Sequence, residues 1–380
     1  KLKGLTNNRQ IGDCPPMGRE GFVACTTRYN KDGTVKAVDV HRPPRYSRTQ
    51  LVRSMKHLLK ILGGVVALGF VALAAVPSGQ AQNEQTGGWV KINGRVTPVY
   101  FNDGDTFRPL AGPYRRRASR LAGFNTLESY GPVHQWSTWT YKELYVNAKQ
   151  ATLNARRGEW TCDLDPNEKD TYGRVLAICP DLAEDQIRKG LAHAYSIGDP
   201  SPMRYIQAQR EAIVKRRGMW AKGVPPMVLT SLHSADERIN NENNYNRLIS
   251  PLDGLSAKWK HQDLYEECEE VCHMGKSLPY DAAHRVIKLF LDDPETAEIV
   301  HGYEDPYLMV MIDEYATTDR VPQIFEKGTK HDGVKRKLDA IKADPNGPFA
   351  QLQDIKGACM VYATFERRYR VKPKPECLKW

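Results

Sequence analysis

The sequence predicts an α+β fold in which a small closed β-barrel with helices on one side precedes a mainly α-helical, disulfide-bonded C-terminal region. Residues 89–226 follow the order strands, helix, hairpin, helix, helix, and residues 256–380 hold a succession of helix-like stretches. A length of 380 residues exceeds that of one typical domain. The 41% hydrophobic and 26% charged residues are ordinary globular values, which exclude a collagen, a polytopic membrane protein and a wholly disordered chain.

The barrel elements follow from the hydrophobic pattern of residues 89–226. Residues 89–101 alternate as strands do and contain an Asn93-Gly94 turn signal. Helices are indicated by apolar residues along one side and by glycines at their ends. The later elements are strands at 106–110 and 117–124, a helix at 138–156, a hairpin of strands 158–163 and 174–179, and helices at 181–190 and 201–217.

The prolines of Val224-Pro225-Pro226 indicate a domain boundary. We interpret the polar, Asn-rich residues 227–255 as a linker and residues 256–380 as a helical domain of unassigned role. The predicted elements there are helices at 261–274, 280–291, 295–301, 306–315 and 333–342, and a strand at 359–365.

The N-terminal 81 residues read as a leader. Residues 55–60 are a short basic start, residues 61–76 are an apolar run, and small residues follow at Gly79 and Ala81. This is the pattern of a signal peptide at 55–81, which predicts a secreted or periplasmic protein. The apolar run falls short of the roughly 20 residues that span a bilayer; an uncleaved N-terminal anchor is the alternative. Residues 1–54 are interpreted as upstream, disordered sequence and residues 82–88 as a linker.

The net charge of +10 is unevenly distributed. Residues 1–81 carry 13 basic and 4 acidic residues, residues 82–226 carry 21 and 15, and residues 227–380 carry 21 and 26. The segment after the leader is therefore basic and the C-terminal segment is acidic. A basic domain favours a polyanionic partner.

Six cysteines follow the leader, and an even number in an exported protein predicts disulfides. Cys162 and Cys179 belong to the two strands of the predicted hairpin, which would place them within bridging distance; two unpaired cysteines are the alternative. Cys268 and Cys272 would share a helical face, with Cys359 and Cys377 as candidate partners in an open pairing. No CxxC pair or histidine has the spacing of zinc ligands.

Three short segments could carry chemistry. They are Asp103-Gly104-Asp105-Thr106, Arg120 with Asn125-Thr126-Leu127-Glu128, and Tyr172-Gly173-Arg174. Each alone is typical of an ordinary turn or strand end. Together they supply oxygen ligands for a hard cation, a carboxylate for proton transfer and two guanidinium groups for a phosphate.

In this order and spacing the segments resemble the staphylococcal-nuclease (thermonuclease) family, as in a secreted bacterial homologue with a C-terminal extension. The resemblance covers residues 89–222 and continues in residues 187–192 and 211–220. It implies a five-stranded OB-fold barrel with packed helices. It also implies Ca²⁺-dependent hydrolysis of phosphodiester bonds in DNA, RNA or both, with little sequence specificity.

The resemblance assigns a role to each matching residue of this chain. The ligands of Ca²⁺ would come from two segments, a general base would activate water, arginines would bind the phosphate, and tyrosines would lie near the nucleotide. The residues are Asp105, Asn125 and the backbone carbonyl of Thr126 as calcium ligands, Asp103 beside them, Glu128 as base, Arg120 and Arg174 on the phosphate, and Tyr172 and Tyr195 as substrate-binding residues.

Three departures from the family pattern affect the site. Asn125 stands where the family has aspartate, which removes one negative charge from the ligand set, and Leu127 replaces a proline. Residues 129–132 follow Glu128 at once, so the long loop that the family has there is nearly absent. A weakened or inactive OB-fold nucleic-acid-binding protein of the cell envelope is therefore the alternative function. We expect a nucleic acid as substrate, a monomer, and no membrane span after leader cleavage; the sequence indicates no protein partner.

Overall fold

The computed structural model describes the segments 24–29 and 35–41 and residues 88–237, 245–325, 328–369 and 374–379. The chain divides into two compact units, residues 1–81 and 82–380. In the first unit, strands β1 (Ala24–Tyr29) and β2 (Val35–His41) pair antiparallel. The interpretation of residues 1–54 as disordered is wrong for these strands, whose valines and threonines favour extended backbone. The predicted signal peptide at 55–81 lies outside the described residues.

The second unit contains strands and helices in alternation. The strands are β3 (Gly88–Ile92), β4 (Arg95–Phe101), β5 (Thr106–Pro109), β6 (Ser119–Leu121), β7 (Phe124–Thr126), β8 (His134–Gln135), β9 (Glu159–Lys169), β10 (Val175–Ile178), β11 (Ala192–Ala194), β12 (Val228–Ser231), β13 (Tyr245–Ile249), β14 (Ser256–Lys260), β15 (Glu270–Ser277) and β16 (Gln353–Val361). The helices are α1 (Tyr141–Arg157), α2 (Pro180–Arg188), α3 (Met203–Val214), α4 (Tyr280–Leu291), α5 (Pro294–Val300), α6 (Asp305–Thr318), α7 (Thr329–Ala343) and α8 (Phe365–Tyr369).

A closed barrel forms the first half of this unit, as the sequence predicts. Its strands follow the order β10-β6-β5-β4-β3-β9, and β9 closes it by pairing with β10. The barrel has six strands where the resemblance implied five. Asn93 (φ 46°) and Gly94 (φ 80°) form a tight turn that makes residues 88–101 into a hairpin, and both of its strands belong to the barrel.

The predicted strand at 117–124 is two strands. β6 stays in the barrel, whereas β7 leaves it and pairs with β11. The break falls at Gly123, whose φ is 90° and where a Cβ atom would lie 2.8 Å from Cε2 of Tyr205. Only glycine satisfies both the left-handed backbone and this close approach. The break directs β7, which carries Asn125, away from the barrel wall.

Helix α1 packs on the barrel through one apolar side. Thr140 and Glu143 form a capping box that satisfies the first backbone N–H groups, and Gly158 follows the last turn. Leu144, Ala148 and Ala151 are completely buried. The helix predicted at 138–156 is thus present, and it buries the side that its sequence marks as apolar.

The assignment of residues 227–255 to a linker is wrong. β12, β13 and β14 form a three-stranded antiparallel sheet there, and Leu229 and Ile249 are fully buried. Their core continues into the first half of the unit, where it includes Leu127, Trp136 and Trp220. Buried residues occur on both faces of this sheet, since Leu229 lies opposite Leu248 and Val228 lies opposite Ile249. The boundary at 226 disappears because both halves share one core.

The helix predicted at 261–274 is also wrong, because residues 270–277 are strand β15, paired with β16. β16 also pairs with β8, so the C-terminal region adds two strands to an element that follows Glu128. The region remains mainly helical, with strands β14, β15 and β16 added to its helices. Long-range pairing overrode a helix-like local pattern. The helices predicted at 280–291, 295–301, 306–315 and 333–342 are present as α4 to α7.

Three disulfides occur among the described residues. The bridge between Cys162 and Cys179 closes the β9–β10 hairpin, where Ile178 lies opposite Asp163. The open pairing of the other four cysteines resolves as Cys268–Cys377 and Cys272–Cys359. Disulfides of this number are typical of oxidising compartments. Within the described residues, no helix has the length and apolar character needed to cross a membrane.

Candidate active site

Asp105 occupies the centre of a polar cluster at one end of the barrel. It precedes β5 and is 4% exposed. Its Oδ2 accepts hydrogen bonds from the Thr126 backbone N–H (2.7 Å) and the Thr126 hydroxyl (3.0 Å), and its Oδ1 accepts one from the Thr106 hydroxyl. The turn can approach Thr126 because Gly104 has no side chain; a Cβ atom there would lie 2.6 Å from Thr126 Cγ2.

Arg120 connects the segments that the sequence singled out. It lies on β6 opposite Thr106, which places its guanidinium against Asp105 in an ion pair. A second guanidinium nitrogen donates to the Asn125 side-chain oxygen. Although burial opposes ionisation, Arg120 and the Thr126 donors together lower the pKa of Asp105. Asp105, Arg120 and Asn125 therefore form one charge-assisted network.

The amide group of Asn125 has a fixed orientation. Its Nδ2 donates to the Thr126 carbonyl oxygen (3.0 Å) and faces His193 Nε2 at 3.5 Å. His193 lies opposite Asn125 in the β7–β11 pair, and its Nδ1 donates to the Ala194 carbonyl oxygen (2.9 Å). Burial lowers the pKa of His193 to about 4, so the ring is neutral and its Nε2 is an acceptor.

Negative charge accumulates between Asp103, Asp105 and Glu128. Asp103 accepts the Asp105 backbone N–H at 3.2 Å. Burial, followed by the charges of Asp105 and Glu128, raises the pKa of Asp103 well above its ordinary value. Burial and the charge of Asp105 likewise raise the pKa of Glu128. A carboxylate with a raised pKa is a stronger base, as proton abstraction from water requires.

The tyrosine–glycine–arginine segment lies at the start of β10, beside this cluster. Arg174 forms an ion pair with Asp170 (2.6 Å) and lies 5.6 Å from the centre of the Tyr172 ring. The charge of Arg174 reaches Glu128 and opposes the rise of its pKa. Tyr172 is 56% exposed. Tyr195 is half-buried after β11 and lies near enough to Arg120 to influence the pKa of that guanidinium.

Two residues that the sequence analysis missed support Glu128. His134 is fully buried, and its Nε2 accepts the Glu128 backbone N–H at 3.1 Å; burial lowers its pKa to about 3, which keeps that nitrogen an acceptor. Arg368, from helix α8, packs against Gly131, where a Cβ atom would lie 2.7 Å from its Cδ. Its charge is the strongest of those that oppose the raised pKa of Glu128.

No local signal could have identified these residues. His134 reaches Glu128 because β8 pairs with β16, and Arg368 arrives from near the C-terminus. His193 lies in an apolar three-residue strand without a recognisable motif. Their roles depend on long-range pairing, which a reading of neighbouring residues does not reveal.

The donor atoms of the site suit a hard cation. The Asp105 carboxylate, the Asn125 amide oxygen and the Thr126 carbonyl are oxygen ligands of the kind that Ca²⁺ prefers. Each of these groups is engaged by an N–H donor or by Arg120, so a cation would replace positive partners already in place. Elsewhere among the described residues, Glu270, Cys272 and Cys359 bring ligand atoms together, but both thiols belong to a disulfide.

Comparisons with known proteins identify relatives that are named as endonucleases. The chain is 48% identical over 176 residues to a protein of Schizophyllum commune named "Probable endonuclease LCL3", in a match that covers 36% of this chain and 57% of that protein. It is 30% identical over 158 residues to a protein of Haemophilus influenzae named "Uncharacterized endonuclease", in a match that covers 40% of this chain and 80% of that protein. The chain belongs to the family of this Haemophilus endonuclease. No family model and no solved structure matches it.

Membership of this endonuclease family concerns only part of the chain. The match spans little more than half of the Schizophyllum relative and less than half of the present chain.

Proposed function

We propose that this protein is an endonuclease of the staphylococcal-nuclease type that hydrolyses phosphodiester bonds of DNA, RNA or both, with calcium in its site and little sequence specificity. The observation that carries the proposal is the network in which Arg120 contacts both Asp105 and Asn125, with Glu128 within reach of their charges. Both relatives carry the name endonuclease. The barrel would be a variant of the OB fold, with one strand more than the usual five.

Each side chain has a defined task in this reaction. Asp105, Asn125 and the Thr126 carbonyl would hold Ca²⁺, and Asp103 would add negative charge beside them. Bound calcium supplies Lewis-acid stabilisation of the phosphate. The guanidinium groups of Arg120 and Arg174 contact the non-bridging phosphate oxygens, whose charge grows in the transition state. Tyr172 and Tyr195 border the nucleotide.

Glu128 takes the proton from the attacking water. Its raised pKa supports this task, and the hydrogen bond from its backbone N–H to His134 fixes the position of its main chain. The oxygen of that water bonds to phosphorus while the bond to the leaving oxygen breaks. The C-terminal strands position Glu128 in this protein, in place of the long loop that the resembled family has after this residue.

The three disulfides support a location in an oxidising compartment, which we take to be the periplasm or the exterior of the cell. This location agrees with the leader predicted at 55–81. A nuclease without sequence specificity would also be harmful in the cytosol, where genomic DNA is its substrate.

The test is digestion of single- and double-stranded DNA and RNA with calcium or with a chelator. Cleavage with calcium and none with chelator is expected. Glu128→Gln should lower turnover by about 10²–10⁴-fold while nucleic-acid binding persists, since the base acts only on water. Arg174→Ala should also lower turnover.

Glu298→Gln, which alters an exposed carboxylate on α5, is the matched control and should leave turnover unchanged. Unchanged turnover of the Glu128→Gln and Arg174→Ala variants would contradict the assigned roles. A wild-type protein that binds nucleic acid but cleaves none of the four substrates would instead support the alternative, a nucleic-acid-binding protein that has lost catalysis.

A further inference from the structure

One face of the β12–β14 sheet is basic. In the β13–β14 pair, Tyr245 lies opposite Lys260 and Arg247 lies opposite Lys258. Directly opposite residues point to the same face of a sheet, and so do residues two apart along one strand. Tyr245, Arg247, Lys258 and Lys260 therefore share a face, and we call these four residues the basic strip.

The other face of the sheet is turned towards the core. Asn246 and Leu248 alternate with the strip residues on β13 and are buried, and Trp259 on β14 packs against the core cluster. Lys258 and Lys260 are exposed, while Tyr245 and Arg247 are partly exposed. Ile249, two residues beyond Arg247 on the same face, is buried, so the strip is the solvent-exposed part of its face.

The cations of the strip converge on one aromatic ring. Lys258 Nζ lies 4.5 Å and Arg247 Cζ lies 5.2 Å from the centre of the Tyr245 ring. Arg247 also donates to the Tyr245 hydroxyl (2.9 Å) and the Ser256 hydroxyl (3.1 Å). In the part of the chain that the structure describes, no carboxylate forms a salt bridge with Arg247 or Lys260, so these two cations are available to an anionic ligand.

The basic strip adjoins the candidate active site on two sides. Ser196, which follows Tyr195, donates its N–H to the Gly254 carbonyl (2.8 Å) and accepts the Ser256 N–H (3.0 Å), so β14 begins beside Tyr195. On the other side, Tyr245 and Arg247 are near enough to Tyr172 to influence its pKa, which burial raises. Both tyrosines that border the proposed nucleotide site thus border the strip.

We propose that the basic strip binds the sugar–phosphate backbone of the substrate strand beyond the cleaved bond. This inference rests on the proposed function and deepens it, because it gives the C-terminal sheet a substrate-binding role. Guanidinium and ammonium groups contact phosphates without reading bases, which suits an enzyme of broad sequence tolerance. Because the strip adjoins the candidate active site, its ligand is a nucleic acid rather than another phosphate-bearing surface.

The experiment compares two triple variants of the full chain. Arg247→Gln, Lys258→Gln and Lys260→Gln remove three charges from the strip. The matched control, Lys276→Gln, Arg285→Gln and Lys288→Gln, removes three exposed charges from β15 and α4. Binding of labelled single-stranded DNA and RNA is measured by fluorescence anisotropy in chelator, which prevents cleavage. The oligonucleotides are longer than the roughly 4–16 nucleotides that one OB fold covers.

Phosphate contacts are identified by their salt dependence. Each phosphate contact to a single strand steepens the plot of log affinity against log salt by about 0.7. The strip variant lacks three such contacts, so its slope should be about 2 less steep than that of the wild type. Between 50 and 200 mM salt the wild type should then lose about 20-fold more affinity than the strip variant. The control should keep the wild-type slope. An unchanged slope in the strip variant, or an equal loss in the control, would overturn the proposal.

Two further measurements separate the possible failures. With calcium, kcat/KM for a dinucleotide should be the same in the wild type and the strip variant, whereas kcat/KM for the long strand should fall with the variant's affinity. If the wild type cleaves nothing, the proposed function fails while the binding data still test the strip. Loss of binding to phosphatidylglycerol vesicles with oligonucleotide binding unchanged would assign the strip to a lipid surface and overturn the proposal.

Discussion

Asn125→Asp is expected to destabilise the protein without calcium and to strengthen calcium binding. The side-chain nitrogen of Asn125 donates to the Thr126 carbonyl at 3.0 Å and faces His193 Nε2 at 3.5 Å. A carboxylate oxygen at that position would face two acceptors instead. The substitution would also place a negative charge on the side chain whose other oxygen is the proposed calcium ligand.

The magnitude follows from the groups that lose a partner. Leaving a buried carbonyl such as that of Thr126 unsatisfied costs about 1–3 kcal/mol. In the wild type the ring of His193 is neutral and its Nδ1 faces the Ala194 carbonyl, so its Nε2 offers the new oxygen an acceptor rather than a donor. A charged hydrogen bond to Arg120 offsets about 1 kcal/mol of the loss. The loss of about 1–3 kcal/mol less this offset leaves a fall in the free energy of unfolding in chelator of about 1 kcal/mol, and at most about 2 kcal/mol.

In calcium, the order of stability of the Asn125→Asp variant and the wild type should reverse. Affinity rises with the number of charged oxygen ligands, so the calcium concentration for half-maximal activity should fall on the order of tenfold. The added charge lies near Glu128 and should raise its pKa, and with it the pH optimum. The assays are urea unfolding in chelator and in calcium, and a calcium titration of cleavage.

Asn167→Asp is the matched control, since Asn167 is exposed near the end of β9 and should change neither the stability in chelator nor the calcium midpoint. A calcium midpoint that does not fall in the Asn125→Asp variant would refute the ligand role of position 125. Equal stability of the variant and the wild type in chelator would refute the described hydrogen bonds of Asn125.

Two further results are expected. The pKa values of about 3 for His134 and about 4 for His193 lie below the ordinary 6.5, so the unfolded chain binds more protons and stability should fall as the pH drops from 6.5 towards 4. Each ring lowers the free energy of unfolding by up to about 3 kcal/mol by pH 4. The His134→Gln variant, measured by urea unfolding across this pH range, should therefore lose less stability than the wild type. An equal loss in the two proteins would contradict a buried, neutral His134 ring. A chain ended at Pro226 should be insoluble or unfolded by circular dichroism, because it uncovers Leu127 and Trp136; a folded, active fragment would disprove the shared core.

The sequence alone determined the elements whose signals are local. The Asn93-Gly94 turn, the capped helix α1 and the amphipathic helix α4 follow from neighbouring residues. The Cys162–Cys179 bridge belongs to this class, since a short hairpin brings its two ends together. The motif segments around Asp105 and Glu128 could also be located in this way, because each is a few contiguous residues.

Only the tertiary structure decided what joins distant segments. Residues 270–277 form a strand because β16 pairs with them, although their pattern favours a helix. His134 and Arg368 support Glu128 because β16 and α8 pack beside the residues that follow it. The basic strip likewise exists only where β13 and β14 pair in their particular register. Pairing between distant strands depends on core packing across the whole unit, and no local pattern encodes it.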